Sequence, residues 1–474
     1  MIFNPNILSK TMSQDKQPLG IELYQSRKKI HPREINGFFS RLRKLSLFTL
    51  LGIFYFLPWL NYDGHQAVLF DLPARKFYIF GITFWPQDFI FLSWLLIIAA
   101  FSLFFFTALA GRLWCGYACP QTVWTELFVQ IEHWVEGDRN KRLKLDKQPW
   151  NFNKIRRRGL KILLWIILAL WTGFTFVGFF TPIRELWYLV LEWNLGSWET
   201  FWIFFYSLAT YGNAGFLREQ VCTHMCPYAR FQSAMFDKDT LIVSYDVARG
   251  EPRAAGKKRR EEIENVGDCI ECTMCVQVCP TGIDIRDGLQ YECIACAACI
   301  DACDEVMISI GKEPGLVRYT TEHELQGKKT RIFRPRMVLY MVALSIMIGL
   351  FSYTLLNRKS IAVDVLRDRN TFFRVVDSQT IENVYKLKIM NKGDQPQQYI
   401  VTAEGIEGGL EVVVDDNYKD RQLPPGEVLS LPVKVRAKTA NVTRHIQNIE
   451  LKIHVVGDES TVVTEETKYF GPKK

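Results

Sequence analysis

Apolar residues gather into five stretches, roughly Leu45 to Tyr62, Phe89 to Ala110, Ile162 to Phe180, Phe201 to Leu217 and Met337 to Leu356. A helix needs about 20 residues to cross a bilayer, so each stretch is predicted to be a membrane span. The fourth is the shortest and carries Asn213 near its end. The first contains Gly52 and Pro58, which membrane helices tolerate because neighbours re-satisfy the backbone. Trp59, Tyr62, Trp85, Trp187, Tyr188, Trp193 and Trp198 cluster at the ends of these stretches, where amphipathic rings favour the headgroup zone. From about Ile361 the pattern switches to period two. Val384 to Ile389 alternates and stops at Asn391-Lys392-Gly393-Asp394, and Leu410 to Val414, Val428 to Val435, Ile446 to Val455 and Thr461 to Thr464 read the same way. Pro424-Pro425-Gly426 marks a further turn. About seven short strands without cysteine predict an immunoglobulin-like sandwich, acting as a docking module or a stable cap.

Charge sets the orientation. The formal net charge of +8 would hint at nucleic acid if spread evenly, but it is sorted by loop. Arg27, Lys28, Lys29, Arg33, Arg41, Arg43 and Lys44 precede the first span. Arg139, Lys141, Arg142, Lys144, Lys147, Lys154 and Arg156 to Arg158 lie between the second and third. Lys257 to Arg260, Lys328, Lys329, Arg331, Arg334 and Arg336 follow the fourth. The intervening loops hold only Arg75 and Lys76, and Arg184. Every second loop is basic, which by the positive-inside rule places the N-terminus in the cytoplasm and the last domain outside. Residues 1 to 40 show no apolar core of a cleavable signal peptide. The expected division is 1–44 cytoplasmic segment, 45–110 first hairpin, 111–161 cytoplasmic loop, 162–217 second hairpin, 218–260 cytoplasmic segment, 261–315 ferredoxin domain, 316–336 basic linker, 337–356 fifth helix and 357–474 outer domain. No nucleic-acid partner is expected, and a homodimer is left open.

Cysteine carries the chemistry. Eight of twelve stand in two runs, C-I-E-C-T-M-C-V-Q-V-C-P and C-I-A-C-A-A-C-I-D-A-C, each spaced C-x2-C-x2-C-x3-C. That spacing wraps a loop around a [4Fe–4S] cluster, the fourth cysteine of each run serving the other cluster. By analogy with two-cluster ferredoxins, Cys269, Cys272, Cys275 and Cys303 hold the first and Cys293, Cys296, Cys299 and Cys279 the second. Pro280 follows Cys279 as that pattern asks, whereas Asp304 stands where a proline is expected after Cys303. Zinc sites ordinarily use short C-x2-C pairs set well apart, and a disulfide framework does not suit a reducing cytoplasm. The chain is read as a carrier of single electrons.

Four cysteines remain, Cys115 and Cys119 in W-C-G-Y-A-C-P and Cys222 and Cys226 in V-C-T-H-M-C-P. Both pairs are C-x3-C-P and follow an even-numbered span. A helical backbone would put both sulfurs of a pair on one face, with Pro120 and Pro227 freeing a carbonyl in the next turn. Two hairpins, each ending in this motif, form an internal repeat whose axis along the membrane normal would bring the pairs together. Four thiolates make a soft site for Cu(I), zinc or another iron–sulfur centre, and His224 and Met225 add possible copper ligands. The plainer alternative is small buried cysteines packing helix ends. His133 sits on an amphipathic stretch, Thr125 to Val135, expected to rest on the inner leaflet; Asp88, Glu185, Glu192 and Glu199 are expected to be solvated on the outer edge.

These motifs together have a family likeness. The paired C-x3-C-P motifs, Ala229-Arg230-Phe231-Gln232 through Leu241 to Asp246 and on to Arg249-Gly250-Glu251-Pro252-Arg253, the two-cluster cassette and the C-terminal β domain resemble the FixG/RdxA/CcoG family. The resemblance implies a bacterial inner-membrane accessory protein for assembly of cbb3-type cytochrome c oxidase. It further implies a cupric reductase, passing electrons from a cytosolic donor through the clusters to Cu(II), with Cys115, Cys119, Cys222 and Cys226 handling copper. Copper chaperones or oxidase assembly factors would then be partners. Two other readings stay open: a quinol-linked relay resembling the polyferredoxin subunits of nitrate or nitrous-oxide respiration, and a redox-sensing assembly scaffold.

Overall fold

The computed structural model describes residues 29 to 472 apart from 63, 257 to 264, 359, 369, 370, 378 and 394. Arg27, Lys28, Lys257 to Arg260 and Asp394, used above for topology and for a turn, lie outside the described residues. Four described helices are long and apolar enough to cross a membrane: α1 (Phe38–Phe56, prolonged by a turn to Trp59), α2 (Phe89–Ala110), α6 (Phe152–Val177) and α12 (Pro335–Leu356). Helix α6 starts well before the apolar stretch because the Asn151 side chain accepts from Lys154 N–H at 2.8 Å and caps it. The fourth apolar stretch takes two geometries. An α-helix, α8 (Ser197–Thr210), runs on as a π-helical segment over Tyr211–Leu217, the kind of irregularity that favours functional sites. There Gly215 lets Phe128 and Trp165 approach to 3.2 Å from where a Cβ would stand.

Helices α2 and α12 run antiparallel, tied at both ends by arginine. Arg334, before α12, donates to the Ala108 carbonyl near the end of α2. Arg358, after α12, donates to Thr83 O at 2.8 Å and to Asp88 at 2.6 Å, ahead of α2. Asp88 also receives Lys392 at 2.8 Å and is buried, not solvated as its position in a loop led us to expect. Two cations from beyond α12 hold that carboxylate in place. Between α1 and α2 a small meander, β1 (Val68–Asp71), β2 (Lys76–Ile79) and β3 (Ile82–Phe84), was not foreseen. It leads to Trp85, whose ring lies 3.0 Å from where a Cβ on Gly426 would sit. The outer domain thus rests on this meander.

The outer domain is a two-sheet sandwich. One sheet orders β10 (Glu411–Val414), β11 (Val428–Lys438), β8 (Thr380–Asn391) and β6 (Ile361–Arg367), with β7 (Arg374–Asp377) also on β8; the other orders β9 (Tyr399–Glu404), β12 (Ile446–Val455) and β13 (Asp458–Phe470). Alternate residues of β8 and β11, such as Tyr385, Leu387, Ile389, Val433 and Val435, are fully buried, as period-two patterning requires. Tyr469 donates to Ile381 O at 2.6 Å and Asn383 to Phe470 O at 2.9 Å, stitching the sheets together.

Helix α4 (Pro120–Glu136) buries one face, Val123, Phe128, Val129, Glu132 and Glu136, and Trp165 of α6 donates to Phe128 O at 3.1 Å. Glu132 is fully buried among Arg218 (2.8 Å), Arg142 (3.1 Å) and Lys161 (3.6 Å), and Glu136 meets Lys161 at 2.8 Å. Burial alone would raise the Glu132 carboxyl, but Arg218, Lys29 and Lys161 bring it down to about 2. The cations of Glu132 and Glu136 arrive from α5 (Arg139–Lys147), from α6 and from the residue that ends the π segment.

Candidate iron–sulfur and thiol site

The two cysteine runs fold alike. In the first, Glu271 and Thr273 take left-handed backbone (φ 55° and 57°) ahead of helix α10 (Met274–Gln277); in the second, Ala295 and Ala297 do the same (φ 52° and 59°) ahead of α11 (Ala298–Ser309). Non-glycine residues at positive φ cost of order 1–3 kcal/mol each and persist where the surroundings over-determine them. Here they turn the chain so that cysteines two residues apart face one space. Two small cavities of equal size result. Cys269, Cys272, Cys275 and Cys303 line one, with Tyr245, Arg286 and Met307. Cys279, Cys293, Cys296 and Cys299 line the other, with Pro280 and Ile294; Cys275 reaches both. Strands β4 (Ile242–Tyr245) and β5 (Val317–Thr320) pair antiparallel beside them. Asp304, where proline was expected, accepts Gly315 N–H at 2.7 Å and anchors the loop leaving α11, a bond proline cannot make.

The donor set suits an iron–sulfur cube. Four thiols line each cavity, the all-sulfur ligand set that a [4Fe–4S] cluster takes. Burial, joined by neighbouring thiols, pushes Cys293 and Cys303 up to about 12 and Cys275 to about 11. Metal-free thiols at neutral pH therefore keep their protons, and metal must displace them.

The remaining four cysteines sit on two matching corners. Gly111 (φ 56°, ψ −121°) and Arg218 (φ 47°, ψ −113°) each stand four residues before the first cysteine of a pair. Cys119 (φ −63°, ψ 128°) and Cys226 (φ −78°, ψ 111°) are each extended and open the next helix, α4 or α9 (Pro227–Met235). The internal repeat therefore holds down to backbone angles. It also corrects the expected local geometry. Cys115 lies in a short helix, α3 (Leu113–Tyr117), and Cys222 in a π turn, but their partners are not one turn further along the same helix. Proline pushes the residue before it out of helical backbone and prefers the first helical position, so each pair spans a corner and no helical carbonyl is freed. Arg218 holds this rare conformation without being glycine because Glu132 grips its guanidinium, its Nε donates to Gly215 O at 3.0 Å, and it stacks over Trp165.

The two corners lie near each other. Cys115 and Cys222 are pushed up to about 12 and about 11 by burial first and then by the other thiols of the set. His224 and Met225 point outward into solvent and do not join them. Cys115 packs in one apolar cluster with Ile294, Cys296 and Cys299 of the second cavity. Next to it, a Cβ on Gly116 would stand 2.8 Å from Ile294 O and 3.0 Å from Ala295 O and Cys296 Cα. Only glycine lets the corner press so closely on the ligand loop. A separate opening lined by His133, Glu126, Glu219, Thr281 and Ala298 reaches Cys222. His133 itself meets Arg142 at 3.2 Å. The module is also locked to the first helix: Asp301 of α11 accepts Ser40 N–H at 2.7 Å and Phe39 N–H at 3.2 Å at the start of α1. Neither Asp301 nor Gly116 was singled out from the sequence, though both lie inside cysteine motifs.

Comparison with known proteins agrees with this architecture. Residues 217–322 match the family described as a 4Fe-4S dicluster domain, 91–142 a 4Fe-4S binding domain, and 351–472 the Ig-like fold at the C-terminus of FixG. The nitrogen fixation protein FixG of Rhizobium meliloti is 40% identical over 423 residues, covering 81% of this chain and 80% of its own. Protein RdxB of Cereibacter sphaeroides is 39% identical, covering 91% and 94%, and RdxA of the same organism 40%, covering 83% and 88%. The chain belongs to the FixG/RdxA family. As a family member it is an iron–sulfur electron-transfer protein with a C-terminal Ig-like domain and apolar helices that suit a membrane. The crystal structure of a FixG-related protein from Vibrio parahaemolyticus is 29% identical and covers 24% of this chain and 98% of its own, with a TM-score of 0.21.

Proposed function

We propose that this protein reduces Cu(II) to Cu(I) at the corner thiols, in service of cbb3-type oxidase assembly. The observation that carries the reading is the seat of Cys115 among Ile294, Cys296 and Cys299, pressed home by Gly116. The two cavity-lining sets, Cys269/272/275/303 and Cys279/293/296/299, are assigned as ligands of two [4Fe–4S] clusters. When bound, those clusters store and relay single electrons. The chain does the rest. Gly116 sets a short path from one ligand loop to Cys115, and Asp301 keeps the module fixed to α1. The corner thiols favour Cu(I) over Cu(II) because soft thiolate suits the soft ion.

The balance is one electron from a cytosolic donor for each Cu(II). Five spans are assigned, the fourth being α8 with its π extension, with the ferredoxin module in the cytoplasm and the Ig-like domain in the periplasm of the bacterial inner membrane. Copper chaperones or oxidase assembly factors are the assigned partners. The test is the Cys115→Ser, Cys222→Ser double variant, purified without oxygen and reduced. Cluster absorbance should stay while Cu(I) formation, read with a Cu(I)-specific dye, falls to background. Undiminished Cu(I) formation would remove these thiols from the reaction, and quinone reduction in its place would favour a respiratory relay.

A further inference from the structure

Arg112 precedes the first thiol corner and is buried. Its guanidinium donates to the backbone carbonyls of Tyr291, Ala229 and Cys293 (3.4 Å for the last). Among the described residues no carboxylate pairs with it. The other buried arginines, Arg142 and Arg218, have Glu132, and the half-buried Arg43 and Arg358 have Glu126 and Asp88. A buried charge is ordinarily paired, so the counter-ion of Arg112 must come from what surrounds it. On one side stands Cys293, whose carbonyl the guanidinium meets at 3.4 Å, and on the other the first thiol corner, which reaches Cys115 three residues on. The carbonyls fix the guanidinium but cannot neutralise it.

Among the described residues the other cysteine set has no such unpaired charge beside it. Arg286, beside Cys275 and Cys269, is neutralised by a two-point pair with Asp284 at 2.6 and 2.8 Å. Asp304 adds negative charge next to Cys303. Reducing a cluster adds an electron, and a nearby fixed cation stabilises that added charge. Solvent exposure works in the opposite sense, since Cys272 is exposed and Cys296 buried. An uncompensated full charge touching the ligand loop inside the protein outweighs it, because low dielectric strengthens close interactions.

We propose that Arg112 makes the cluster held by Cys279, Cys293, Cys296 and Cys299 the higher-potential one of the two. This rests on the assignment of both cysteine sets as cluster ligands, and on no assumption about copper. The test is a potentiometric titration of the full-length chain in detergent, followed by the electron paramagnetic resonance of the reduced clusters. Arg112→Gln should move one signal to more negative potential, by on the order of tenfold in its reduced-to-oxidised ratio, or about 59 mV for a one-electron couple. The second signal should stay, and Arg112→Lys should restore the first. The signal that moves should be the one altered by Cys296→Ser. Movement of the signal altered by Cys272→Ser, or of neither, overturns the proposal. Should Arg112→Gln not retain clusters, the two serine variants still decide. The higher-potential signal must be the one that Cys296→Ser changes, and the opposite assignment overturns the proposal. Copper is absent from the assay, so a failure of copper reduction leaves this result standing.

Discussion

Gly116→Ala adds one methyl group where the first thiol corner meets a ligand loop. All three neighbours are backbone or Cα atoms, at 2.8, 3.0 and 3.0 Å from the new carbon, and none is the end of a flexible side chain. Reaching ordinary contact, which begins at 3.4 Å, requires a relative shift of about 0.6 Å. Overpacking of this kind costs roughly 1–3 kcal/mol. Alanine returns about 1 kcal/mol, because Gly116 lies in a helical turn and glycine is the poorer helix former by that amount. The net loss of stability is therefore about 0–2 kcal/mol, small enough for the protein to fold. The displacement remains, and it falls on Ile294, Ala295 and Cys296. Gly116→Ala is expected to keep its iron content, to alter one of the two cluster spectra, and to slow Cu(I) formation. Iron analysis, electron paramagnetic resonance and the dye assay on the same preparation check these outcomes together. An alanine variant with wild-type spectra and wild-type rate would refute the claim that this close approach joins the thiols to the ligand loop.

Three further outcomes are expected. Cys303→Ser should disturb the same cluster signal as Cys269→Ser, and Cys279→Ser the same as Cys296→Ser, because each cavity takes its fourth cysteine from the other run; resonance spectra of the four variants decide it. Glu132→Gln strips the partner from Arg218, Arg142 and Lys161 and should cost roughly 3–5 kcal/mol in detergent thermal unfolding at neutral pH. Since the folded Glu132 carboxyl lies at about 2, below its ordinary 4.5, its contribution is complete above about pH 4.5 and fades as pH falls towards 2, so the gap between wild type and variant should narrow over that window. Asp88→Asn leaves Arg358 and Lys392 without their shared carboxylate and should make the linker after α12 cleave faster under limited proteolysis, with the Ig-like domain itself still folded.

The cysteine grouping was legible because metal-ligand spacing is a local property: two, two and three intervening residues shape one loop, and the exchange of the fourth cysteine follows from placing two such loops side by side. Hydropathy found the apolar helices, and period-two patterning found the sandwich, for the same local reason. Where a local pattern had two solutions the inference went wrong. C-x3-C-P was compatible with a helix through both cysteines, but proline starts a new helix at each corner. Asp88 looked solvated because its cations are distant in the chain. Asp88 meets Lys392 from 304 residues away.

What the sequence by itself determined is the chemistry: iron–sulfur ligation, apolar helices suited to a membrane, a β cap, and a repeated thiol motif. These follow from residue type and spacing within a few turns of chain. Tertiary structure alone decided how the pieces are joined. It set Gly116 against the Ile294 to Cys296 backbone, placed Asp301 at the start of α1, and left Arg112, 179 residues from Tyr291, without a carboxylate among the described residues. Contacts of that range depend on which faces meet once the apolar surfaces are buried, and neither hydropathy nor motif spacing encodes which distant backbone a given glycine or guanidinium will face.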